Sequence, residues 1–273
     1  MKFSKLFAPS LKEAPRDAVL PSHALLIRAG FIEQLGSGLY NFLPLGKIVL
    51  ERICAVIRQE MDAAGAQEVS FSVVTSADAW KKSGRYAKYG KELLRFKDRK
   101  DNDFVLSPTN EEAAVLMVAD KIASYKQLPL NIYQINTKYR DEIRPRYGVM
   151  RGREFIMMDA YSFDADARSL DESYEKCSRA YRRIFKRMGI NVIPVRADTG
   201  AMGGDGSEEF MVESEVGDDT LMLCPKCSYA SNTEKASCAP DYGAINEEDC
   251  TQAPLPAEEV QTPNVKTIEE LTA

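Results

Sequence analysis

IYQINTKYRDEIRPRYGVMRGREFIMMDAYSF, residues 132–163, is the stretch on which the fold turns. Ile132 to Tyr139 alternates as a strand does, and Phe155 to Phe163 reads as a second strand. A charged loop joins them, so the pair reads as adjacent strands of a rigid hairpin. Lys138 to Arg153 carries six cations (Lys138, Arg140, Arg144, Arg146, Arg151, Arg153) against Asp141 and Glu142, a local charge of +4 in sixteen residues. Five of the six are arginines, whose planar fork grips phosphate or carboxylate at two points. On charge alone, a solvated basic loop explains the stretch equally well.

On the N-terminal side, Pro21, Gly30, Gly36, Gly38, Pro44 and Gly46 punctuate short apolar pieces. Val49, Ile53, Val56, Ile57, Met61 and Ala64 then follow helical spacing up to Gly65, and Val69 to Val74 reads as a strand. Trp80 to Asp103 is polar and ends in the charged run 97–103, which reads as a solvated hairpin tip before the strand Phe104-Val105-Leu106. Thr109 and Glu112 have capping-box spacing ahead of a helix from Ala113 to Ala123. Ser169 and Glu172 repeat that spacing at the start of a helix carrying Leu170, Tyr174, Cys177, Tyr181, Ile184, Phe185 and Met188, closed by Gly189. Val192 to Val195 and Phe210 to Val212 read as later strands. Hairpin-like links with helices between them give an α+β class, an antiparallel sheet flanked by helices, and the strict alternation of a Rossmann fold is missing. Residues 200–206, GAMGGDG, lack the Lys-Ser/Thr ending and following helix of a phosphate-binding loop, so they read as a turn before a strand.

The 273 residues are 44% hydrophobic and 28% charged, ordinary globular composition that excludes fibrous and wholly disordered chains. No apolar run reaches the ~18 residues of a membrane span. The start, residues 1–7 (MKFSKLF), has no apolar core of a secretory signal, and the six Cys do not form a disulfide framework, which together point to a reducing cytoplasm. A net charge of −5 makes the whole chain a poor polyanion binder, leaving the 138–153 loop as the local exception. The one histidine, His23, is all that a Ser-His-Asp hydrolase or a multi-His metal site would have to work with.

The wording of the basic stretch carries further. Tyr139-Arg140-Asp141-Glu142 followed by Arg151-x-x-x-Phe155-x-x-x-Asp159 resembles motif 2 of the class II aminoacyl-tRNA synthetases. The run 139–164 is similar in particular to the bacterial prolyl-tRNA synthetase family. GLYNFLPLG (38–46) with the helix ending EMDAAGAQEV (60–69) resembles that family's motif 1 region, and SPTNEE (107–112), SYKQLPLNIYQINTKYRDE (124–142) and ADTGAMGG (197–204) also match. These segments are ordered and compatibly spaced, and the likeness runs from residue 1 to about residue 235.

The resemblance implies a class II catalytic domain and a two-step ATP-dependent ligation: proline and ATP give prolyl-adenylate, and the prolyl group passes to tRNA(Pro). It implies Mg²⁺ with the ATP, a homodimer and a cytoplasmic setting. The first step needs no His base, because the ionised proline carboxylate is itself the nucleophile and catalysis is alignment plus stabilisation of phosphate charge. Carried over residue by residue, Arg140 bridges the substrate carboxylate and the α-phosphate, Glu142 lies near the adenine amino group, Arg151 reaches the outer phosphates, and Phe155 stacks on the adenine. Thr109 and Glu111 receive the proline ring nitrogen, a charged secondary ammonium for which a carboxylate is a natural partner. Beside those roles, Thr109 also reads as a helix cap, Phe155 as core, and Asp159 as a partner for a motif arginine.

The chain departs from the family in places. Ser72 stands where motif 1 has its proline, Glu208-Glu209-Phe210 replaces His-Glu-Phe, and Asn110 stands where some relatives carry His. Motif 3 and the anticodon-binding domain have no counterpart in these 273 residues. From Asp241 onward eight acids face Lys266 alone, and prolines recur at 240, 254, 256 and 263. The expected organisation is therefore a catalytic core over residues 1–220, then an acidic Pro-rich linker or the start of an editing insertion over 221–273, in a fragment of a longer synthetase. The alternative is a non-catalytic synthetase-like binding or regulatory module. Cys224-Pro225-Lys226-Cys227 has the spacing of half a zinc site, but Cys238 and Cys250 follow at wide spacing, so reduced thiols and no metal ligands are expected.

Overall fold

The computed structural model describes residues 2–16, 18–199, 206–217 and 219–237. The chain divides into two units, Met1–Lys235 and Ala236–Ala273, and the first holds the elements that follow. Its N-terminal part runs from helix α1 (Pro21–Arg28) into a hairpin of β1 (Ile32–Gly36) and β2 (Leu39–Phe42), turned at Gly38, whose φ of +73° suits a residue without a Cβ. Helix α2 (Pro44–Ala63) starts on a proline, which lacks only an N–H that would go unused there, and ends at Gly65, whose φ of +86° is the usual left-handed exit.

The strand expected over Val69–Val74 is interrupted in the middle. Strand β3 (Gln67–Glu68) ends before it, and strand β4 (Val74–Ser76) begins at its last residue. The cause lies in side chains opposite: Gln134 Oε1 accepts from Phe71 N at 3.0 Å, and Asn136 Nδ2 donates to Phe71 O at 2.8 Å. The backbone there is satisfied by amide side chains, so no ladder forms.

Helices α3 (Ala77–Ser83) and α4 (Arg85–Lys88) follow, then strands β5 (Arg95–Lys97) and β6 (Asp103–Leu106), which with β4 make a three-stranded sheet in the order β4-β6-β5. The solvated tip expected over Trp80–Asp103 shrinks to residues 98–102. Trp80 and Leu93 are buried with Ala77 and Val105 in a core of their own. Helix α5 (Glu111–Ala119) starts and ends earlier than expected, and its N-cap, Asn110, makes no capping hydrogen bond. The Thr109–Glu112 box does not form, because Thr109 Oγ1 donates to Glu111 Oε1 at 2.7 Å instead.

Strands β7 (Leu130–Tyr139) and β8 (Glu154–Phe163) pair antiparallel over ten residues, from Leu130↔Phe163 to Tyr139↔Glu154, as the sequence predicts. With β3, parallel to β7, they form the central sheet β3-β7-β8. The two-residue period separates its faces. Tyr133 packs on one side in a core with Met61 of α2 and with Ala180 and Ile184 of helix α6 (Ala167–Arg187), while Gln134, Asn136 and Lys138 line the other. Helix α6 begins two residues before Ser169: Asp166 is the cap, accepting from Ser169 N at 2.8 Å, so Ser169 and Glu172 do not form the expected box. Leu170 and Tyr174, expected on the buried stripe, are exposed at the N-terminal end of the helix.

A last sheet, β10-β9-β12-β11, contains β9 (Ile193–Arg196), β10 (Glu208–Met211), β11 (Leu221–Leu223) and β12 (Ala230–Asn232). Residues 200–205 of the glycine-rich turn and the acidic stretch from 241 lie outside the described residues. The molecule is α+β, with antiparallel sheets flanked by helices and two short parallel pairings, β3 with β7 and β12 with β9. No helix among the described residues is long and apolar enough to cross a membrane.

Candidate active site

The polar face of the β7–β8 hairpin forms a buried floor. Lys138, fully buried, places Nζ 3.1 Å from Asp159 Oδ1 and also donates to Asn110 Oδ1. Gln134, equally buried, donates from Nε2 to Asn110 Oδ1 and to Asp159 Oδ2, both at 2.9 Å. Tyr161 donates to Asp159 Oδ2 and accepts from Asn110 N at 2.8 Å. Burial drives the Lys138 ammonium below its usual pKa, with Asp159 pulling the other way, and lifts the Tyr161 phenol, which Asp159 raises further. Two expectations change here. Lys138 is sealed under Asn110 and is no part of a phosphate-gripping cluster, and the partner of Asp159 is this lysine rather than a motif arginine.

The floor fixes the segment above it. Thr109 and Asn110 are buried where the chain enters α5, and Glu111 and Glu112 open the helix. Thr109 Oγ1 holds Glu111 Oε1 at 2.7 Å, and Arg85 NH1 reaches Glu111 Oε2 at 3.0 Å and the two oxygens of Glu112 at 3.1 and 3.2 Å.

At the far end of β7, Arg140 lies 5.4 Å over the ring of Phe155, its NH2 points to Pro108 O at 3.4 Å, and its buried Nε has no hydrogen-bond partner. Arg140 thus abuts the Thr109–Glu111 segment through Pro108, and Phe155 supports its guanidinium. Glu142 and Arg151 face each other in the loop, with Nε to Oε2 at 2.9 Å. The Glu142 carboxyl is held below the usual carboxylate range, first by the Arg144 backbone N–H and then by Arg151. Arg153 ties the loop inward, donating from Nε to Glu142 O at 3.1 Å and from its backbone N to Gly38 O at 2.8 Å. His23 has a structural place: Tyr40 Oη is 3.2 Å from its Nε2, and it packs against Gly148, where an added Cβ would lie 2.7 Å from its Cδ2.

The structure therefore gathers Thr109, Glu111, Arg140 and Phe155 at one end of the hairpin and pairs Glu142 with Arg151 in the loop. Sequence reasoning did not single out Arg85, Gln134 or Tyr161. A signal was available for Gln134: it stands with Asn136 and Lys138 at alternate positions of a strand, a polar stripe that has to be satisfied by something. For Arg85, inside a polar segment, there was none.

Cys224 and Cys227 occupy the β11–β12 turn as free thiols. Lys226 N donates to Cys224 Sγ at 3.4 Å, and that contact leads the lowering of the Cys224 pKa. Cys238 and Cys250 lie outside the described residues. Among the described residues no group of three or more His, Cys, Asp or Glu is placed to hold a metal ion. The described side chains do not by themselves make a Mg²⁺ site.

The profile of the tRNA synthetase class II core domain (G, H, P, S and T) matches residues 94–241, just over half of the chain, and the chain belongs to that family. Among curated relatives it is similar to the proline–tRNA ligase of Campylobacter curvus, 58% identical over 98% of this chain and 46% of that protein, and to that of Treponema denticola, 54% identical over 100% and 46%. The chain spans about half the length of these relatives. Among solved structures it resembles a Giardia lamblia prolyl-tRNA synthetase in complex with prolyl-adenylate (TM-score 0.57, 22% identity, 61% of this chain and 35% of that one). It also resembles a Cryptosporidium parvum prolyl-tRNA synthetase complexed with L-proline and AMP (TM-score 0.62, 19% identity, 74% and 42%). At these identities the structures speak for the fold alone.

Proposed function

We propose that this chain carries the amino-acid- and ATP-binding part of a proline–tRNA ligase. The observation that supports it most is that Arg140, stacked on Phe155, reaches Pro108 beside Thr109 and the Glu111 it holds, above a floor of buried polar strand side chains. An amino acid needs an acceptor for its ammonium and a cation for its carboxylate, and this arrangement offers both within one cleft. The proline nitrogen meets Glu111 and Thr109, and the carboxylate meets Arg140. Arg140 also stabilises charge on the α-phosphate as the carboxylate attacks and pyrophosphate leaves, which needs preorganised cations rather than a base. Phe155 stacks on the adenine, Glu142 accepts from its amino group, and Arg151 exchanges its bond to Glu142 for the outer phosphates. The Mg²⁺ that the resemblance implies would come with the ATP phosphates rather than from a site of the described side chains. The prolyl group then passes to tRNA(Pro) in the cytoplasm.

A homodimer has surface available for it. Ile48, Val49 and Ile53 of α2 and Leu35 and Phe42 of the β1–β2 hairpin are exposed apolar side chains available to a second copy. Ser72, standing where the family's motif 1 has proline, is exposed and donates to Val74 O at 2.7 Å.

Proline-dependent ATP–pyrophosphate exchange by the full-length gene product tests the reading. Arg140→Ala should lower exchange at least ~100-fold, since one charge-stabilising contact in a transition state is worth about 3 kcal/mol. Near-wild-type exchange by a folded variant, or no dependence on proline in the unmodified protein, would reject the assignment.

A further inference from the structure

Arg85 is the first residue of α4 and follows Gly84, whose φ of +76° lets the chain turn out of α3. Its side chain is only 18% exposed, and the guanidinium lies 5.2 Å over the ring of Trp80 and 5.6 Å over that of Tyr89. Held between those aromatics, it faces two successive carboxylates. Both oxygens of Glu112 accept from NH1, and Glu112, with a side chain 6% exposed, has Ser83 Oγ as a further donor at 2.9 Å. Glu111, 35% exposed, accepts from the same NH1 through Oε2 and from Thr109 through Oε1.

The charge arithmetic is simple: two carboxylates and one guanidinium leave one negative charge. Glu112 is the buried member and sits on the cation. Glu111 is the more exposed member, with each oxygen already oriented by a donor. A surplus of one negative charge on an oriented carboxylate is what a single ammonium requires.

We infer that Arg85 is a positioning residue for amino-acid recognition: it cancels the charge of Glu112 and holds the Glu111 carboxylate aimed into the cleft, so that the site presents one fixed negative charge to the substrate ammonium. This rests on the reading of Thr109 and Glu111 as the amine subsite. Arg85 touches neither ATP nor the reacting atoms in that reading, so its effect falls on the amino acid.

The test is steady-state exchange by the full-length protein carrying Arg85→Gln, Arg85→Lys, or Arg85→Gln with Glu112→Gln. Arg85→Gln leaves two like charges side by side and should raise the proline KM by at least ~10-fold with the ATP KM within ~2-fold. The double substitution restores the single surplus charge and should recover part of that loss. Arg85→Lys, which keeps the charge but not the planar fork, should fall between wild type and Arg85→Gln. If Arg85→Gln does not fold, the same proline-to-ATP comparison in the double variant and in Arg85→Lys decides. The inference is overturned by a folded variant with unchanged proline KM, by equal rises in both KM values, or by a double variant no better than the single. The underlying subsite reading fails separately, if Glu111→Gln leaves the proline KM unchanged.

Discussion

At the scale of single residues, Glu111 is the side chain on which the proposed amine subsite rests. Its two oxygens are held from opposite sides by Thr109 and Arg85, so the carboxylate meets an incoming ammonium without first being ordered. Glu111→Gln keeps the shape and removes the charge. A hydrogen bond to a charged group is worth about 1.5–3 kcal/mol, so proline binding should weaken roughly 10- to 100-fold while ATP binding stays near its wild-type value. Separate titrations of the two substrates by calorimetry or exchange kinetics check this, and equal losses for both would sink the assignment. Thr109, Glu111, Arg140 and Phe155 could be singled out in the sequence because each belongs to a short ordered motif. Lys138 was misjudged for a physical reason. Charge counting along a sequence cannot tell a cation at the loop's rim from one in the strand below it, and the strand period turns Lys138 inward beneath Asn110.

Among the elements, the β7–β8 hairpin carries the most weight, and its buried ion pair is its most vulnerable point. Lys138 is fully buried and the Asp159 side chain is 9% exposed. Removing one member of such a pair leaves an uncompensated charge, so Lys138→Met should destabilise the fold by ~3–5 kcal/mol. Adding Asp159→Leu removes that stranded charge and should recover part of the loss, although Gln134 and Tyr161 then lose an acceptor. Urea unfolding of the single and double variants measures both numbers, and a Lys138→Met protein within 1 kcal/mol of wild type would show that the pair is hydrated. The hairpin was readable from its two-residue period, since ten residue pairs repeat one alternation. The element ends were not, because they are decided by single side chains acting at a distance. Gln134 and Asn136 take the backbone of Phe71 out of the ladder, and Asp166 rather than Ser169 caps α6. Spacing rules see neighbours along the chain, and these bonds join residues far apart in it or choose between two nearby caps.

On the scale of the whole molecule, the question is what these 273 residues can do alone when they cover 46% of relatives such as the Campylobacter curvus protein. Helices α3 and α6 are capped by Ser76 and Asp166, the central sheet is packed against α2 and α6, and Trp80 anchors a second core, so the chain should fold cooperatively under its own burial. On the proposed reading its substrate contacts are one-sided. Arg140, Phe155, Glu142 and Arg151 approach a nucleotide from the hairpin and its loop, whereas the resemblance to the family calls for a further arginine from motif 3 on the opposite side and a separate domain for the anticodon. Each missing phosphate-directed group costs several kcal/mol in the transition state, and each ~1.4 kcal/mol is tenfold in rate. We expect weak ATP binding by the purified chain and tRNA charging at least ~1,000-fold below that of a protein spanning the relatives' full length, which corresponds to ~4 kcal/mol of lost stabilisation. The check is to assay both proteins side by side for pyrophosphate exchange and for charging, with circular dichroism to confirm that the shorter one is folded. Charging at a comparable rate would mean that the hairpin and the Thr109–Glu111 segment suffice to bind and activate both substrates, and the one-sided account of this cleft would then be wrong.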